Sequence, residues 1–162
     1  MQGIMDKTNE IMATDNDDLL KGLVTLGCRV DRVEGAVLVS LPDDYGDFIF
    51  ERLGNWLYVG TTFLAPDETE DSDHLGALDR FLLELQHRNL GCRFSYDDAG
   101  YLSIGAELNP KQQTPQEVFE IMDQISFICD VCFPLCEQIL NDGELPSDAE
   151  VDTAFGVSEK LH

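Results

Sequence analysis

The sequence predicts an α+β domain with elements in the order α-β-β-β-α-β-β-α. Three observations lead to this prediction. Apolar residues recur at helical spacing in three segments, and they alternate with polar residues in five others. The alternating segments are joined mostly by connections short enough for hairpins. Hairpin-linked strands pair antiparallel, so we expect an antiparallel sheet with the helices packed mainly on one face.

The first half of the chain predicts one helix followed by three strands. In the segment 15–26 the leucines fall on one helical face, and Gly27 follows where a helix C-cap is expected. Alternation then predicts three strands, over 35–41, 48–53 and 55–65. The pair Gly54–Asn55 is typical of a two-residue hairpin turn, because glycine readily takes the positive φ that a type II′ turn needs.

The second half predicts a helix, a hairpin and a long closing helix. Apolar residues at helical spacing indicate a helix over 73–89, and alternation over 92–96 and 101–108 indicates a hairpin. The closing helix has the clearest local signal in the chain. Thr114 is a cap residue, and Glu117 lies three positions later, where it completes a capping box.

The predicted domain organisation has three parts. Residues 1–14 form a flexible leader, residues 15–141 form the domain, and residues 142–162 form an acidic tail that we expect to be mobile. A chain of 162 residues is long enough for one domain with a substantial core and needs no disulfide or metal to hold it.

The charge of the chain excludes several classes of protein. Asp and Glu number 32 against 10 Lys and Arg, for a formal net charge of -22. The chain is nevertheless 43% hydrophobic with nine Phe, which a disordered acidic segment would not be. The charge disfavours nucleic-acid and anionic membrane partners. With no signal peptide or long apolar segment recognisable, we expect a cytoplasmic protein.

Motifs for chemistry are weak in this sequence. The cluster Cys129, Cys132 and Cys136 lies on the apolar stripe of the closing helix, which favours buried thiols over a metal or redox site, although both alternatives stay open. His74 and His87 lie thirteen residues apart on one helix and cannot converge on a ligand. We expect no catalytic residues, no cofactor and no metal ion, and therefore no enzymatic activity.

Aromatic residues supply the candidate site. Core packing is one interpretation of them, and an exposed apolar surface for a partner or a second copy is the other. The residues predicted for such a partner or dimer surface are Phe48, Phe50, Trp56, Tyr58 and Phe81.

One long segment resembles a known bacterial family. Residues 82–140 contain a helix ending near Asn89, a hairpin turn Asp97-Asp98-Ala99-Gly100 and a long apolar helix opened by Thr114. This pattern is similar to the C-terminal half of YbjN-like proteins, whose fold resembles that of type III secretion chaperones. Acidity, size and element order extend the resemblance to about residues 15–140. The acidic tail and the three cysteines of the last helix depart from it.

The resemblance implies a non-enzymatic, chaperone-like protein. Secretion chaperones are acidic homodimers that wrap an extended segment of another protein, so we expect a homodimer with a polypeptide partner held by apolar contacts. A small regulatory protein, or a ligand- or metal-binding protein with an unrecognised site, is the alternative.

Overall fold

The computed structural model describes residues 17–44, 46–69, 72–88 and 91–156. The helices in this part of the chain are 17–25 (α1), Pro66–Thr69 (α2), Leu75–Gln86 (α3), Pro115–Asp142 (α4) and Asp148–Phe155 (α5). The strands are Arg29–Val33 (β1), Ala36–Ser40 (β2), Asp47–Leu53 (β3), Trp56–Leu64 (β4), Arg93–Tyr96 (β5) and Leu102–Leu108 (β6). A short 3₁₀ turn, Pro42–Asp44, lies between β2 and β3.

The strands form one six-stranded antiparallel sheet in the order β1-β2-β3-β4-β6-β5. The α+β class and the antiparallel sheet are therefore confirmed, and the element order agrees approximately with the predicted one. Two of the additional elements are the edge strand β1 and the single-turn helix α2. Four of the five β1 residues are exposed, so that strand has no buried face to produce an apolar alternation.

Helix α5 is the third additional element. The predicted element order ends with the closing helix and assigns residues 148–155 to the acidic tail, whereas the structure has a helix there. Capping residues at both ends indicate this helix in the sequence. At the N-terminus the Ser147 side chain accepts a hydrogen bond from the Glu150 backbone N–H, and the Glu150 side chain accepts one from the Ser147 N–H. At the C-terminus Gly156 is the cap, with φ 68°. A search for apolar periodicity misses such a helix, because Val151 alone among its residues is fully buried.

The chain divides into two compact units, each formed by two separate stretches. The first comprises the described residues up to Thr61 together with Gly105–Ser126. Its core contains one face of β2, β3 and β4, and each of these side chains is at most 6% exposed: Val37, Val39, Phe48, Phe50, Leu57 and Val59. Helix α1 meets the first turn of α4 so closely that a Cβ on Gly22 would collide with the Pro115 ring. The predicted Thr114 cap is present, with its hydroxyl accepting from the Glu117 N–H at 3.2 Å.

The second unit comprises Thr62–Ile104 together with the described residues from Phe127 onward. The apolar stripes of α3 and of the C-terminal half of α4 supply most of its core: Leu78, Phe81, Leu82, Leu85, Ile128, Cys132, Cys136 and Ile139. Phe63 packs edge-to-face on Phe133, with ring centroids 6.2 Å apart. The same ring lies 6.1 Å from that of Phe94. Aromatic contacts thus join strands and helix within this unit.

Candidate polypeptide-binding surface

In the first unit, one face of the sheet is only partly covered. Successive residues of a strand point to opposite faces, so the neighbours of the core residues define a second face. We call this the open face, and its half-buried residues are Ala36, Leu38, Ile49, Glu51 and Tyr58. The strand register places Leu38 opposite Ile49, and Glu51 opposite Tyr58. These side chains therefore form neighbouring rows on one continuous surface.

Three large apolar side chains extend the open face at one end of the sheet. Val33, Leu53 and Trp56 are 45%, 47% and 52% exposed. They flank the β1–β2 and β3–β4 turns, and both turns lie at the same end because β2 and β3 run antiparallel. Val33 pairs with Ala36, and Leu53 pairs with Trp56. We call these three residues the apolar end of the open face.

Tyr58 lies flat against the sheet beside the apolar end. A Cβ built on Gly105 would lie 2.6 Å from the Tyr58 ring atoms, and one on Gly60 would lie 2.7 Å from Tyr58 Cε1. Real Cβ atoms do not approach other atoms so closely, so the ring occupies space that only glycine leaves empty. Because Gly60 and Gly105 have no Cβ, the Tyr58 ring packs directly against their backbone, and this part of the open face is flat.

The opposite end of the open face is polar. Arg29 Nη2 donates to Ser40 Oγ at 3.4 Å, and Ser40 Oγ donates to Asp47 Oδ1 at 2.6 Å. Arg29 also pairs with Asp31 at 3.5 Å, with both side chains well exposed. The open face is thus apolar at the end that carries the β1–β2 and β3–β4 turns and charged at the opposite end. Such a gradient suits a segment that is itself apolar at one end and polar at the other.

The predicted site residues separate into two groups. Phe48, Phe50 and Phe81 are 1%, 1% and 3% exposed, so they belong to the core, which corrects their assignment to a partner surface. Trp56 and Tyr58 lie on the open face, where their role in binding remains a prediction. The prediction missed Val33 and Leu53. Their signal was available, because both immediately precede glycine-containing hairpin turns.

The cysteines are free thiols and are mostly buried. Burial raises the pKa of Cys132 from 9.0 to about 12, with smaller contributions from Cys129 and Cys92. Burial likewise raises the pKa of Cys129 to about 12 and that of Cys92 to about 11. Thiols with such a pKa stay protonated at neutral pH and are poor nucleophiles, so the interpretation as small apolar residues fits best.

Among the described residues, no group of three or more His, Cys, Asp or Glu side chains is arranged to hold a metal ion. None of the helices they form is both long and apolar enough to cross a membrane.

Comparison with known proteins gives structural neighbours only. No protein-family model matches the chain, and no curated protein matches it. A chain of the heterodimeric ExoU–SpcU complex from the type III secretion system of Pseudomonas aeruginosa aligns with a TM-score of 0.54 and 19% identity, over 70% of this chain and 93% of that one. A chain of the ExsC–ExsE complex aligns with a TM-score of 0.53 and 14% identity, over 82% and 95%.

At these identities the likeness concerns the fold alone. This chain therefore shares the fold of one chain in each of these two complexes.

Proposed function

We propose that this protein is a chaperone-like, non-enzymatic protein that binds a polypeptide partner on the open face. The apolar end carries the proposal: three large apolar side chains, each about half exposed, converge at one end of a sheet face that Tyr58 keeps flat. Both structural neighbours come from complexes of two proteins, which supports a polypeptide as the ligand. The finer likeness to YbjN-like proteins rests on the sequence pattern alone.

The partner segment that fits this surface is apolar and basic. The apolar end offers no hydrogen-bonding side chain except the Trp56 indole, so it suits aliphatic or aromatic residues. Glu51 lies among the apolar rows, and its carboxylate repels an acidic segment at this surface. We therefore expect a partner with apolar residues next to Lys or Arg.

The test is capture of a partner by matched variants. Full-length protein should retain a stoichiometric protein from native lysate, and Trp56→Asp should lose it, because a carboxylate at the apolar end has no partner once water is excluded. Val24→Asp is the control, since Val24 is 53% exposed but lies on α1. Trp56 is the single tryptophan of the chain, so its emission should shift to shorter wavelength when the partner covers it. Capture of nothing by the wild type, or equal loss with both variants, would overturn the proposal.

The homodimer is the second part of the proposal, and it uses a surface of the second unit. Leu75 and Leu83, 37% and 60% exposed, lie eight residues apart on one face of α3. Asp79 lies between them and accepts a hydrogen bond from the Tyr96 hydroxyl at 2.6 Å. Two copies that pack this stripe against itself would bury four leucines.

Light scattering tests the dimer. At micromolar concentration the mass should be twice 18.1 kDa, and Leu83→Asp should reduce it to that of one chain. Trp56→Asp should leave it at the doubled value. If the wild-type protein has the mass of one chain, the dimer proposal is wrong. The proposal that the open face binds a partner is not affected by that result.

A further inference from the structure

The second unit contains a short helix that is attached by few contacts. Arg88 Nη1 donates to Asp152 Oδ1 of α5 at 2.5 Å, and Arg88 Nη2 lies 3.5 Å from Asp148 Oδ1. Val151 is 4% exposed, and the Phe155 ring packs edge-to-face on Phe127 with centroids 6.3 Å apart. One arginine, one buried aliphatic side chain and one aromatic pair thus hold α5 on this unit.

These contacts all lie on one side of α5. Asp148, Val151, Asp152 and Phe155 are spaced at i, i+3, i+4 and i+7, which places them on a single helical face. The other four residues of α5 are exposed: Ala149, Glu150, Thr153 and Ala154. The surface beneath α5 therefore accepts an acidic–x–x–apolar–acidic–x–x–apolar pattern. We call this surface the α5 groove, and define it by Phe81, Leu85, Arg88 and Phe127.

Val151 leaves part of the α5 groove unfilled. A pocket of about 290 Å³ remains between α3 and the segment that carries α5, lined by Phe81, Leu85, Pro146 and Val151 together with charged or polar side chains. The floor is apolar, since Phe81 and Leu85 are 3% and 1% exposed. A longer aliphatic or aromatic side chain at the position of Val151 would fill more of this volume and gain contacts that valine does not make.

Helix formation and docking of α5 are separable. Gly143, at φ 72°, follows the end of α4, and a short connection leads to Ser147, whose capping box stabilises α5 locally. The Asp148 carboxylate is 98% exposed, so its pairing with Arg88 is weak. Segments with few buried contacts open locally without unfolding the rest of the structure.

We propose that the α5 groove is a binding site for an amphipathic helix of a partner protein, and that α5 occupies it in cis until such a helix displaces it. The displacing helix carries carboxylates at the positions of Asp148 and Asp152, and a residue larger than valine at the position of Val151. The proposal rests on the proposed function in taking a polypeptide as ligand, but it concerns a surface separate from the open face.

A labelled peptide tests the groove directly. The probe has the sequence of residues 147–156 with the change Val151→Leu, and its binding is measured by fluorescence anisotropy. Full-length Val151→Asp protein, in which a buried carboxylate detaches α5, should bind the peptide at least about tenfold more tightly than the wild type, whose own α5 competes. Adding Arg88→Gln should weaken binding about two- to fivefold, and a peptide with Ala at both Asp positions should bind as weakly. Equal binding to the Arg88→Gln variant, or no binding to Val151→Asp protein, overturns the proposal.

Hydrogen exchange gives a second readout that does not need Val151→Asp to fold. In otherwise wild-type protein, Arg88→Gln should accelerate exchange of the α5 amides about two- to fivefold and leave the amides of α3 unchanged. The matched control is Arg80→Gln, because Arg80 lies on α3, which ends two residues before Arg88, and pairs with Glu84 instead. Unchanged α5 exchange in Arg88→Gln contradicts the docking mechanism. Neither measurement involves Trp56, so failure here leaves the open-face proposal standing.

Discussion

Tyr58 and Gly105 provide a quantitative test of the open face. Replacing Gly105 with alanine places a methyl group 2.6 Å from Cε2, Cζ and Oη of Tyr58. Since Gly105 is buried in β6, the new methyl cannot turn to solvent, and the ring must lift off the sheet. Gly105→Ala should therefore destabilise the fold and raise the exposure of Tyr58.

The magnitude follows from two opposing effects. Overpacking of this kind costs about 1–3 kcal/mol. Replacing glycine in a strand with alanine recovers roughly 0.5–1 kcal/mol of backbone entropy. From the middle of each range, the expected net loss is about 1 kcal/mol in the free energy of unfolding. With a urea dependence of about 1–3 kcal/mol per molar, the urea midpoint falls by roughly 0.3–1 M.

A double-mutant cycle with Tyr58→Ala isolates the contact. Without the ring, Gly105→Ala should be neutral or stabilising, so the coupling energy between the two changes should be about 1–3 kcal/mol. Urea unfolding followed by far-UV circular dichroism and Trp56 emission measures each corner of the cycle. Gly76→Ala on α3 is the control, because a Cβ there meets no atom within 4 Å. Coupling below about 0.3 kcal/mol would refute the close packing of Tyr58 against Gly105.

Three further predictions concern the closing helix and the charge. Burial raises the pKa of Cys132 from 9.0 to about 12. Between these pH values the folded state binds more protons than the unfolded state, so the free energy of unfolding falls as pH rises, by up to about 1.4 kcal/mol per pH unit. In urea titrations Cys132→Ala should reduce this pH dependence, and an unchanged dependence contradicts a buried, protonated Cys132. Thr114→Ala should lower the free energy of unfolding by about 1 kcal/mol through loss of the α4 cap, whereas Thr114→Ser should not, and equal unfolding curves would contradict the capping role. Raising NaCl to about 0.5 M should raise the melting temperature by screening the net charge of -22, and a flat salt dependence in calorimetry would show that the carboxylates do not repel one another.

Apolar periodicity predicted the elements that bury a face, together with the mostly exposed β5 in its hairpin with β6, and missed β1 and α5. The two hairpins and the helices α3 and α4 each place large side chains in a core, and their positions agree with the pattern. By contrast, β1 is almost wholly exposed, and α5 buries Val151 alone among its residues. Ser147 and Glu150 form a capping-box pattern that indicates the start of α5. This pattern does not show whether the capped helix packs on the rest of the protein.

To assign residues to the candidate site, the pairing register of the strands is needed as well as the apolar pattern of the sequence. Phe50 and Tyr58 are both aromatic strand residues, and nothing local distinguishes them. Phe50 pairs with Val59 across β3 and β4, so Tyr58, the neighbour of Val59, must point to the other face. That relation depends on which residues the hairpin brings opposite one another. The sequence therefore identified Trp56 and Tyr58 but could not separate them from Phe48 and Phe50.

The division of the first unit into two separate stretches bears on how the protein is made. Residues up to Thr61 belong with Gly105–Ser126, so this unit is incomplete until residue 126 of 162 has been synthesised. Until then the unit lacks the C-terminal part of β6 and the first turns of α4, so a nascent chain exposes apolar residues beside unpaired strand edges. Such exposed surface favours aggregation during synthesis, so expression at low temperature should raise the soluble yield of this protein.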